Sequence, residues 1–137
     1  MDDAAKELAR DWLTRALHDL RSARLLAAAD DLLLDTAIYH CQQAAEKSVK
    51  AWLQCQDEPF PKTHDIDELV KRAAKSCPGF ADLEKAASVL TPYATAFRYP
   101  GGLCEPMPSR AEFNEALTYA QTVYDFVLNS LPPEARP

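Results

Sequence analysis

A chain of 137 residues with 47% apolar and 26% charged residues is sized and composed for one folded domain rather than a disordered tail or a pair of domains. Its net charge of −6 argues against a general grip on nucleic acid, which draws its free energy from neutralised phosphates. No apolar run approaches the roughly 18 residues of a membrane span, and the opening "MDDAAKEL" lacks the apolar core of a signal peptide, so a cytoplasmic protein is expected. Cys41, Cys55, Cys77 and Cys104 make no C-x-x-C pair, which predicts reduced, packed thiols and no zinc knuckle or redox motif.

Ala5, Leu8, Ala9, Trp12, Leu13, Ala16, Leu17, Leu20, Ala23 and Ala27 recur at three- and four-residue steps and predict a long first helix. His18 falls on its outward face and receives no role. "AADDLLLDTA" interrupts the pattern, with Asp35 expected to cap a second helix that runs to about Gln56 and folds back on the first. "DEPFPK" must be a loop because Pro59 and Pro61 each remove an amide donor. Asp65 with Glu68 marks the start of a short third helix buried through Ile66, Leu69, Val70, Ala73 and Ala74, and "CPG" at 77–79 ends it. Leu83, Ala87, Leu90, Ala94 and Phe97 predict a fourth helix kinked at Pro92.

"RYPGGLCEPMP", with three prolines and the Gly101–Gly102 pair, cannot continue that helix. Ser109 and Glu112 then have capping-box spacing and open a fifth helix, whose stripe is Phe113, Ala116, Leu117, Ala120, Tyr124, Val127, Leu128 and Leu131. The expected fold is all-α: a single-domain antiparallel bundle of about five helices over 1–137, with frayed ends at 1–3 and 132–137.

"YHCQQAAEKSVKAWLQ" in the second helix sets Ala37, Cys41, Ala44, Ala45, Ser48, Val49 and Trp52 on one side, a small-residue face that lets a neighbour approach closely and suits association. His40, Gln43, Lys47, Lys50 and Gln54 fall together on the other. The plain reading of that stripe is a solvated helix face with an i,i+4 pair between Glu46 and Lys50. The functional reading is a site, because "PKTHD" offers Lys62 and His64 beside a helix start and "FRYP" offers Arg98 and Tyr99 at a helix end.

In "AIYHCQQAAEKSVKAWL", "KTHDIDEL" and "RYP", in that order, the chain resembles the HEPN family, the higher eukaryotes and prokaryotes nucleotide-binding domain. The resemblance implies a four- or five-helix bundle, commonly a homodimer, often working with a minimal nucleotidyltransferase. It also implies, for the family's RNA-cleaving toxins, an Arg followed after four to six residues by a His. This chain lacks that His: no histidine occurs beyond His64. A non-catalytic nucleotide- or partner-binding subunit is therefore expected, with an RNase toxin of rearranged active site as the rival.

Candidate binding residues are Arg98, Lys47, Lys50, Lys62, His64, His40, Gln43 and Tyr99, with no catalytic residue assigned. Arg98 can hold a phosphate through two parallel hydrogen bonds or tie an internal carboxylate. The three lysines add point charges or stay solvated, His64 binds or finishes the third-helix entrance, and Tyr99 stacks on a base or packs. Convergence of Arg98 with Lys47 and Lys50 is the geometry the site requires. Scattered histidines and cysteines predict no metal, and the absence of G-x-x-x-x-G-K and G-x-G-x-x-G predicts no phosphate loop and no cofactor.

Overall fold

Helix α1 (Asp3–Ala27) begins where the Asp2 carboxylate accepts the Ala5 amide at 2.7 Å. It buries Ala5, Ala9, Leu13, Ala16, Leu20 and Ala23, while Leu8 stays 46% exposed. The computed structural model describes residues 2–31, 33–100 and 107–137, so the expected Gly101–Gly102 turn and Cys104 lie outside the described residues. Every regular element among the described residues is helical, and none of these helices is long and apolar enough to cross a membrane.

Helix α2 (Leu34–Cys55) starts one residue before Asp35. Asp35 therefore does not cap it. Leu33 holds the cap position without a side-chain bond, the Asp35 amide donates to the Met107 sulfur at 3.3 Å, and the Asp35 carboxylate turns to the Thr36 amide at 2.9 Å. At its other end Asp57 takes the left-handed φ of 55°, the Glu58 amide donates to Leu53 O at 2.9 Å and the Asp57 amide to Gln54 O at 3.0 Å. This closes the helix in a Schellman motif.

The small-residue face of α2 is spent within the chain: Ala37, Cys41, Ala44, Ala45, Ser48 and Val49 are fully buried. Its main neighbours are α1 and helix α5 (Arg110–Ser130). Asp19 meets Lys47 and Trp12 meets Lys50, so α1 runs antiparallel to α2. Trp52 of α2 packs edge-on against Phe80 at 4.9 Å, and Phe80 against Phe126 of α5 at 4.8 Å. This aromatic row crowds position 79, where a Cβ in place of the glycine hydrogen would lie 3.2 Å from Phe126.

Helix α3 (Ile66–Ser76) is capped by Asp65, as expected, and buries Ile66, Leu69, Val70 and Ala73. The expected kinked fourth helix is instead three short pieces: a 3₁₀ turn at Pro78–Leu83, helix α4 (Glu84–Leu90) and a second 3₁₀ turn at Thr91–Ala94. Pro92 supplies no amide for the α-helical ladder, so the hydrogen bonding tightens rather than bending. Ser109 and Glu112 form the full capping box of α5. Residues 133–135, expected to fray, form a 3₁₀ turn that buries Ala135, while the Arg136 guanidinium donates to Leu131 O at 2.8 Å and Arg10 holds the Glu134 carbonyl.

Candidate functional site

The polar stripe of α2 separates into three levels. At its C-terminal level Glu46, 3% exposed, is surrounded by donors. Its Oε1 accepts from His64 Nδ1 at 2.8 Å, Gln42 Nε2 at 3.1 Å and Gln43 Nε2 at 3.4 Å, and its Oε2 accepts from Lys50 Nζ at 3.0 Å. Gln43 also donates to Gln42 Oε1 at 2.7 Å, and Gln42 to the His64 carbonyl at 3.1 Å. The Lys50 ammonium sits 5.6 Å from the Trp12 ring centre and 5.8 Å from that of Phe60. These contacts fasten the loop between α2 and α3 onto α2. Gln43 and Lys50 are thus buried and not part of a solvated face.

At the middle level Asp19 of α1, 6% exposed, bridges two residues of α2. Its Oδ2 accepts from Lys47 Nζ at 2.7 Å and its Oδ1 from His40 Nδ1 at 2.7 Å. An ionised carboxylate only accepts, so His40 carries its proton on Nδ1, and Nε2 is left as the free ring nitrogen.

At the N-terminal level Arg98 arrives. Phe97 holds a left-handed φ of 65°, which turns the chain at the end of the 3₁₀ segment, and its ring stacks on Tyr93 at 6.1 Å. Such a backbone is costly for a bulky residue and marks a position the surroundings enforce. The turn sends the Arg98 guanidinium over the Tyr39 ring, 3.8 Å from its centre, and 5.8 Å from that of Tyr99. Tyr39 in turn meets His40 edge-on at 5.8 Å. Asp35, Thr36, Tyr39, His40, Phe97 and Arg98 line a cleft of about 330 Å³ there.

Of the residues singled out in the sequence, the structure brings Arg98 and His40 into one cleft, with the Tyr99 ring centre 5.8 Å from the Arg98 guanidinium. Arg98 meets α2 at Tyr39, about two turns before Lys47, and shares the cleft with His40, while the ammonium groups of Lys47 and Lys50 engage Asp19 and Glu46. His64 is held against Glu46, and Lys62 stands exposed on the loop, outside the cleft lining. Asp19, Gln42 and Tyr39 also take part, although none of them is a candidate from the sequence. Asp19 carried a signal, since it is a charge in the buried phase between Ala16 and Ala23. Tyr39 carried none, because its place beside Arg98 depends on the backbone at Phe97.

Away from the cleft, burial pushes the Cys41 thiol from 9.0 up to about 12. Cys55 and Tyr124 are raised for the same reason. Among the described residues no group of three or more His, Cys, Asp or Glu side chains is arranged to hold a metal ion.

Comparison with known proteins gives a consistent result. The sequence model of the HEPN domain matches residues 9–131. A solved structure, TT1696 from Thermus thermophilus, is 32% identical with a TM-score of 0.77, covering 91% of this chain and 99% of its own. ST0689, described as an archaeal HEPN homologue, is 26% identical with a TM-score of 0.72, covering 89% and 96%. No curated protein sequence matches at a significant level.

Proposed function

The chain belongs to the HEPN domain family, and from that premise we propose that it is a non-catalytic nucleotide- or partner-binding subunit whose phosphate site is the Arg98 cleft. The observation that carries this reading is the guanidinium itself. Arg98 is exposed, sits over Tyr39 with its guanidinium carbon 3.8 Å from the ring centre and makes no ion pair among the described residues, so its N–H groups are open to a phosphate. Cavities of about 300 Å³ and above are the size that takes small ligands.

The subunit works in the cytoplasm as a homodimer, with a minimal nucleotidyltransferase as its partner protein. Calorimetric titration with adenosine 5′-monophosphate tests the site: Arg98→Ala should weaken binding about tenfold or more, the worth of one charged hydrogen-bonding group. An unchanged affinity in that variant sinks the reading.

The RNase alternative draws support from one contact. His40, its Nδ1 held by Asp19, lies in the same cleft as Arg98, which sets a proton-transfer group beside a phosphate clamp. Cleavage of RNA in the presence of a chelator, lost in both His40→Ala and Arg98→Ala, decides for this reading; no cleavage decides for the binding subunit.

A further inference from the structure

Resting on the reading of the Arg98 cleft as a phosphate site, we propose that the cleft selects a ribose monophosphate over a polyphosphate, and that Asp19 is the positioning residue that sets this preference through His40.

The charge count of the cleft carries the first part. Among the described residues Arg98 is the one cation in its lining, and Asp35 brings a carboxylate to the same lining. The nearby lysine charges are taken up: Lys47 by Asp19 and Lys50 by Glu46, both carboxylates buried. One guanidinium balances one phosphate group. A triphosphate would bring charges with no further cation to meet them and would set one against Asp35.

The acceptors carry the second part. Asp35 uses Oδ1 on the Thr36 amide, which leaves Oδ2 as an acceptor. Asp19 holds the His40 proton on Nδ1, 2.7 Å from its Oδ1. Nε2 of that ring is then an acceptor as well. Two acceptors beside a phosphate clamp call for a ligand with hydroxyl donors next to its phosphate, which is what a ribose diol presents. The Arg98 guanidinium and the His40 ring lie 3.8 Å and 5.8 Å from the centre of the same Tyr39 ring and line one cleft of about 330 Å³.

The test titrates the full chain with adenosine and uridine 5′-monophosphates, their 2′,3′-dideoxy counterparts, and adenosine triphosphate. Both ribonucleotides should bind about tenfold more tightly than their dideoxy forms, the worth of the hydrogen bonds lost, and adenosine monophosphate more tightly than the triphosphate. His40→Phe should bring the ribonucleotides down to their dideoxy counterparts. Nitrogen-15 spectra of the unaltered protein should show His40 protonated on Nδ1, and Asp19→Asn should mix the tautomers and shrink the ribose preference together. Arg98-dependent binding without discrimination, tighter binding of the triphosphate, or an Nε2-protonated His40 overturns this inference alone. No Arg98-dependent binding of any probe overturns the phosphate site and this inference with it.

Discussion

The Lys50 ammonium donates to Glu46 Oε2 at 3.0 Å with less than a tenth of either side chain exposed, 9% and 4% respectively. An i,i+4 pair of this kind on an open helix face is worth a few tenths of a kcal/mol. Here it lies under Trp12 and Phe60, and Glu46 also accepts from His64 and two glutamines, so its removal leaves a stranded cation.

Glu46→Ala should therefore cost about 3–5 kcal/mol, the penalty of leaving a buried charge without its partner. The double change Glu46→Met with Lys50→Met should cost clearly less than the single one, since no charge is stranded. Urea unfolding of both variants measures the difference. Equal losses would show that packing, not the charge, governs this level of α2.

Asp57→Gly should stabilise the protein by up to about 1 kcal/mol. Asp57 holds a φ of 55° in the Schellman motif, a conformation that glycine adopts without steric cost. Thermal unfolding should show a midpoint raised by a few degrees. A lowered midpoint would mean that the Asp57 side chain contributes more than its backbone costs.

Alkaline conditions should unfold the protein through Cys41. Its thiol, raised by burial from 9.0 to about 12, stays neutral in the folded chain while the unfolded chain ionises. The stabilisation is thus fully present below pH 9 and is lost as pH rises toward about 12. Unfolding free energies measured across that window should fall with pH, and Cys41→Ala should flatten the fall. An identical slope in the variant would assign it to other groups, such as the raised Tyr124.

Arg98→Ala should leave the fold almost intact. The residue is exposed, and stacking on Tyr39 is worth about 0.5–1 kcal/mol at such a site. Chemical denaturation should place the variant within that margin of the parent, so that a loss of ligand binding is not a loss of structure. A larger drop would make Arg98 a structural tie of the 3₁₀ segment.

Much of the fold was legible. The α5 capping box and stripe, the Asp65 cap of α3 and the buried face of α2 stand where their spacing puts them. The cap position of α2 is not legible at Asp35 because the Met107 sulfur, 72 residues away, accepts an amide at that end. Apolar spacing alone does not separate an α-helix from flanking 3₁₀ turns, so the segment around Pro92 carries the pattern of one kinked helix.

The candidate site was legible in its parts and not in its grouping. Arg98, His40 and Tyr99 were singled out from residue type, and so were Lys47, Lys50 and Gln43, which the structure ties elsewhere. Helical periodicity is a local property, so the chain by itself determined where the long helices run and which side of each is apolar. Which polar group meets which is decided where segments cross. One stripe of α2 faces the 57–65 loop at one level, Asp19 of α1 at the next and Arg98 at the last, and those levels exist only once the helices have packed.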